Sequence, residues 1–119
     1  LFSCIGEAFV VPEEQIDATC AIHGAGPAYV AALIEALAKA GAEAGLDRDL
    51  AERLGTQTAY GTACLMLERG QNAEKTRVDV CSPGGATLAA LGAMEAAGFS
   101  ESIMRGVEAA IRRSKELGA

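Results

Sequence analysis

The chain has 119 residues, half of them apolar but only 4% aromatic, with a formal net charge of −6 and a pI near 4.7. That length suits one compact domain, or a domain with a remnant of another. The acidic balance lacks the basic surplus of a nucleic-acid binder, so no nucleic-acid partner is expected. From the N-terminus, Leu1 to Ile5 is short and apolar, and Gly6 stops any helix there. Ala8-Phe9-Val10-Val11 reads as a short strand ended by Pro12. A helical stretch is expected over 13–44, opened by Pro12, Glu13 and Glu14. Gly24-Ala25-Gly26-Pro27 interrupts it, because Pro27 lacks an N–H and clashes with the preceding turn; a kink or a restart is predicted. Beyond the break, Tyr29, Val30, Leu33, Ile34 and Leu37 recur at helical spacing, and Gly45-Leu46 closes the element.

Asp47 or Asp49 caps the next predicted helix, with Leu50, Leu54, Gly61 and Leu65 on one face and Gly70 at its end. Positions 71–79 are polar and form a short turn or helix. The helix after it is expected to start at Pro83, with Ser82 as N-cap, and to stop at Gly98. Ser100 is read as the cap of the last helix, with Phe99 before it and Met104 inside it in the arrangement of a hydrophobic staple. Ile103, Val107 and Ile111 form its buried stripe. Arg112, Arg113 and Lys115 near its end read as a solvated basic terminus that suits the helix dipole.

The 25 alanines and 14 glycines make a thin core. Small residues let helices approach closely, and the apolar area missing within one chain can be made up across a partner, so an oligomer is expected. Cys4, Cys20, Cys64 and Cys81 form no C-x-x-C pair, and there is a single His, so no metal site is expected and reduced, cytoplasmic thiols fit best. No apolar run was found of the roughly 20 residues that span a bilayer, and no basic signal-peptide n-region is present. Leu1 reads as an interior position of a longer protein.

One stretch carries most of the chemistry. Ser82-Pro83-Gly84-Gly85-Ala86-Thr87 places two glycines and two hydroxyls at a helix start. Such a start leaves N–H groups without intrahelical partners and carries partial positive charge. Bare glycine backbone lets a small anion come close. Two readings stand: a pocket for a carboxylate or other small anion, or a plain capped helix whose glycines permit a tight corner.

Two motifs in order then resemble one family. Gly24-Ala25-Gly26-Pro27-Ala28-Tyr29-Val30 is similar to the Gly-Ser-Gly-Pro-Ala-Tyr motif of pyrroline-5-carboxylate reductases, and the 82–87 stretch looks like that family's second signature. Leu1-Phe2-Ser3, Asp17-Ala18, Ala97-Gly98-Phe99 and the ending at 113–117 are similar too. The resemblance implies an all-α helical bundle that interleaves with a partner chain. It implies that 1–11 is the tail of an N-terminal dinucleotide-binding domain, leaving its one short strand, and that 12–119 is the dimerisation and substrate-binding domain. The implied activity is reduction of 1-pyrroline-5-carboxylate to L-proline with NADPH or NADH, the cofactor bound mainly by the other domain. No Gly-x-Gly-x-x-Gly loop occurs in this sequence. The implied assembly is a homodimer, which in some members builds rings of dimers.

On this resemblance, Ser82, Gly84, Gly85, Ala86 and Thr87 hold the substrate carboxylate, while Cys20, His23, Gly24, Ala25, Gly26 and Pro27 lie near substrate or nicotinamide. No residue is assigned as catalytic. The sequence departs from the family pattern at 20, 23 and 25, where Cys20, His23 and Ala25 replace hydroxyl residues. His23 either donates a hydrogen bond or proton in place of Ser, or caps the broken helix. Cys81 is read as structural. The lost hydroxyls favour one alternative, an inactive oligomerisation module; a paralogue acting on another cyclic imine acid is a second.

Overall fold

The computed structural model describes residues 7–118. It is helical almost throughout, with α1 (Ile16–Thr19), α2 (Gly26–Glu43), α3 (Arg48–Arg69), α4 (Ala73–Asp79), α5 (Ala86–Ala96) and α6 (Phe99–Gly118). A single 3-10 turn, Glu13–Gln15, leads into α1, and a π turn, Cys20–Gly24, joins α1 to α2. The opening run 1–6 lies outside the described residues. No strand occurs among the described residues, so Ala8-Phe9-Val10-Val11 is not the expected strand. A strand exists by pairing, and these residues have no ladder to join.

The break before Pro27 is where the sequence places it, and its form is specific. The Ala25 N–H donates to the Cys20 carbonyl at 3.1 Å, an i→i−5 bond that widens the helix by one residue. Pro27 then sits at the second position of α2, where the missing N–H costs no intrahelical bond.

α2 and α3 form a tight antiparallel hairpin, the most extensive packing in the chain. Gly45 at φ 98° ends α2 with paired bonds, Leu46 N–H to the Gly41 carbonyl and Gly45 N–H to the Ala42 carbonyl, both 3.0 Å. Asp47, not Asp49, caps α3, accepting from the Leu50 N–H at 2.9 Å. The hairpin closes on small residues: Ala38 and Ala51 are buried, and a β-carbon at Gly41 would stand 2.9 Å from the Ala51 β-carbon. Neither atom can rotate away. Gly41→Ala is therefore expected to destabilise the chain by about 1–3 kcal/mol, measured as a lowered denaturant midpoint with unchanged slope.

α1, the π turn and α5 all pack against α6. Val107 and Ile111 of the predicted stripe are half-buried, whereas Ile103 is exposed. The helix begins at Phe99, earlier than predicted, so Ser100 is not its cap. The Ser100 hydroxyl bonds the Glu95 carboxylate at 2.6 Å instead, and the Gly98 carbonyl receives the first turn from Ser102. Phe99 and Met104 both lie inside the helix, which removes the staple arrangement.

Little apolar surface is covered. Only Ala21, Ala38 and Ala51 form the fully buried apolar core among the described residues. Leu33, Leu37, Leu50, Leu54 and Val30 from the predicted faces are between 38% and 51% exposed. The chain exposes 9303 Å², against about 6000 Å² for a compact monomer of this mass. Its radius of gyration is 16.9 Å, where roughly 13–14 Å is usual for this length. The run Glu13–Glu43 is, by length and composition, apolar enough to cross a bilayer, with mean hydropathy 1.3 in its best stretch. That differs from the sequence expectation. Alanine and glycine supply much of this apolarity, the π turn interrupts the run, and one side of α2 packs along α3.

Candidate functional site

The segment leading into the 82–87 stretch is set by a small polar network. Asn72 caps α4, accepting from the Lys75 N–H at 2.8 Å. At the far end of α4, Asp79 accepts from Lys75 and from the Gln71 amide. The Lys75 ammonium bond holds the Asp79 carboxyl below its ordinary pKa. Thr76, buried in the middle, bonds back to the Asn72 carbonyl at 3.0 Å.

The chain then turns at Ser82. The helix does not begin at Pro83, and Ser82 is not its N-cap; both expectations are corrected. Ser82, Pro83, Gly84 and Gly85 form a β-turn closed by the Gly85 N–H to the Ser82 carbonyl at 3.0 Å. Pro83 occupies the second position, and Gly84 the third at φ +68°, the pattern of a type II turn. Proline's fixed φ suits this position as well as the first residue of a helix. Gly85 becomes the N-cap, and α5 starts at Ala86.

This shift leaves a better anion cradle than the one predicted. No side chain caps α5. The first intrahelical bond runs from Ala89 N–H to the Gly85 carbonyl. Among the described residues, the amides of Ala86, Thr87 and Leu88 have no partner. Thr87 stands exposed at the second helical position. The Ser82 hydroxyl folds over Gly85, so that a β-carbon there would meet its Oγ at 2.3 Å and its carbonyl oxygen at 3.1 Å. Three free amides, two hydroxyls and the positive end of α5 thus lie together at an exposed turn. They can accept a carboxylate through charge-assisted bonds.

The second predicted group surrounds the π turn. Cys20 opens it and is exposed, its carbonyl holding the wide bond; His23 is exposed and Gly24 closes it. Ala25 links to α2 half-buried, Gly26 begins α2, and Pro27 follows, exposed. His23 borders an open cleft of about 800 Å³ with Phe9, Val11, Thr19 and Ile22. Its side chain forms no hydrogen bond among the described residues, so it does not cap the broken helix through its ring. β-carbons at Gly24 and Gly26 would meet nothing within 4 Å, which leaves bare backbone against which a flat ring can lie.

Within one chain the two groups are not packed on each other to the extent that each packs on α6. Sequence reasoning named Asp17 and the 113–117 ending only as points of resemblance and missed the pairing of Asp17 with Ser114, whose side chains are hydrogen-bonded across 97 positions. Nothing in local patterning points to that pair. No cluster of three or more His, Cys, Asp or Glu side chains that could hold a metal occurs among the described residues.

Comparison with known proteins bears on this geometry. The family described as pyrroline-5-carboxylate reductase dimerisation matches residues 13–117. A pyrroline-5-carboxylate reductase from Synechocystis is 46% identical over 118 residues, covering 99% of this chain and 44% of that protein. One from Glycine max is 42% identical, covering 98% and 43%. Among solved structures, a Plasmodium falciparum pyrroline carboxylate reductase with NADP bound aligns with a TM-score of 0.89 at 36% identity, covering 99% of this chain and 48% of that one. A 1-pyrroline-5-carboxylate reductase from Streptococcus pyogenes aligns at 0.88 with 32% identity, covering 93% and 43%. The chain spans less than half the length of the relatives it matches.

Proposed function

The chain belongs to the pyrroline-5-carboxylate reductase dimerisation family, and on that premise we propose that it serves a reductase converting 1-pyrroline-5-carboxylate to L-proline. In this reading residues 12–119 are the dimerisation and substrate-binding domain, and 1–11 the tail of a dinucleotide-binding domain. The observation that carries it is the uncapped start of α5, with three partnerless amides beside Ser82 and Thr87. These groups hold the carboxylate of the cyclic imine and orient its carbon. The nicotinamide of NADPH or NADH, when bound, supplies the hydride. The open backbone at Gly24 and Gly26, with Cys20, His23, Ala25 and Pro27, lies along the ring side of the site.

The unburied area supports a second copy of the chain as the partner. Roughly 3000 Å² of surplus surface per chain, about 6000 Å² across two copies, reaches the upper end of obligate homodimer interfaces. The protein is cytoplasmic in this reading. The lost hydroxyls at 20, 23 and 25 support one rival, an inactive oligomerisation module; a paralogue acting on another cyclic imine acid is a second.

The test is turnover by the complete protein with NADPH or NADH. Consumption of pyrroline-5-carboxylate is expected, with pyrroline-2-carboxylate a poor substrate and the 119-residue chain alone inactive. Preference for pyrroline-2-carboxylate selects the paralogue. No turnover of either selects an inactive oligomerisation module. Unchanged turnover across pH in His23→Ala would remove His23 from proton transfer.

A further inference from the structure

The side-chain hydrogen bonds of this chain are almost all local. Among the described residues, every one joins positions eight or fewer apart, except Ser114 Oγ donating to the Asp17 carboxylate across 97. The ion pairs are likewise confined to i,i+3 and i,i+4 neighbours. α6 thus docks against α1 and the π turn through apolar contact and a single directional bond. Apolar helix contacts specify register weakly, because a one-turn slip re-forms similar contacts; one polar pair at a fixed position removes that freedom. Both partners are half-buried, and the acceptor is a carboxylate, so the bond is of the stronger, charge-assisted kind.

The position of the bond gives it leverage. Asp17 lies three residues before Cys20, where the π turn begins. Ser114 lies roughly 22 Å along α6 from Phe99, at about 1.5 Å per residue. α6 also packs with α5, whose start carries the carboxylate cradle. α6 is therefore the rod between the two groups of candidate site residues, and Asp17–Ser114 pins one end of it.

We propose that Asp17 and Ser114 are positioning residues: their bond sets the register of the α5–α6 unit against the π turn, and so the fit of the imino acid. The proposal rests on the reductase reading above. Neither residue touches substrate; both act through α6. A one-turn slip would move the rod about 5.4 Å, far beyond what a bound ring tolerates.

The experiment uses the complete protein. Ser114→Ala is expected to raise KM for pyrroline-5-carboxylate roughly five- to tenfold with kcat within about twofold. Amide exchange at 20–25 should speed up in the same variant. Asp17→Asn, which keeps the Oδ1 acceptor but loses its charge, should raise KM and exchange less than Ser114→Ala does. Ser114→Cys, near-isosteric with a weak donor, should also fall between, and it serves as the test should Ser114→Ala not fold. A lowered melting temperature with unchanged KM and unchanged exchange at 20–25 overturns the proposal, as does a KM raised as far in Asp17→Asn as in Ser114→Ala. A wild-type protein that does not turn over the imino acid sinks the reductase reading instead; the exchange measurement then still decides whether the bond holds the π turn.

Discussion

Gly85→Val in the complete protein is expected to raise KM for the imino acid by one to two orders of magnitude, with a much smaller change in kcat. A valine β-carbon would fall 2.3 Å from Ser82 Oγ and 3.1 Å from the Ser82 carbonyl oxygen. The hydroxyl can rotate away, but the carbonyl belongs to the turn itself, held by the 3.0 Å bond from Gly85 N–H. Either the turn opens or the hydroxyl leaves the cradle, and the branched side chain covers the amides of Ala86 and Thr87. A carboxylate anchor is made equally in ground and transition states, so its loss appears in KM. One to two orders of magnitude is about 1.4–2.8 kcal/mol, the size of one or two charge-assisted bonds. The turn is exposed, so the melting temperature should move little. An unchanged KM with a folded variant would show that the carboxylate binds elsewhere.

The second large effect concerns assembly. Leu37 and Leu54 are 46% and 51% exposed and flank a groove of about 250 Å³ along the α2–α3 hairpin. Isolated helical hairpins do not hold such residues in water without cost, at about 25 cal/mol per Å² of apolar surface. The wild-type chain of 12.1 kDa is expected to sediment at twice its mass. Leu37→Glu combined with Leu54→Glu should bring it to single-chain mass, because two unpaired carboxylates would otherwise be desolvated in the interface. Equilibrium sedimentation reads both. A wild-type monomer, or a double variant that stays dimeric, would contradict the placement of the interface on this hairpin.

Local signals were legible wherever one residue type answers one backbone demand. Asp47 before α3, Gly45 and Gly70 after helices, and Pro27 at a break all carry their reason with them: an acceptor for a free amide, a positive φ, a missing N–H. The 82–87 stretch shows where such reasoning divides. Ser-Pro-Gly-Gly satisfies both a capped helix start and a type II turn, since Pro has the same φ in each. Two glycines tip the balance, because Gly84 fits a positive φ that the helix would waste. The change moves the free amides to 86–88.

The sequence by itself determined the helical class, the order of the helices and the break before Pro27. Each follows from contacts within a few positions along the chain. Only the tertiary structure decided that the predicted apolar faces stay half uncovered, that α6 links the two candidate groups, and that Asp17 meets Ser114. Those facts arise from which faces meet across long separations, and residue spacing encodes a face without naming what lies against it.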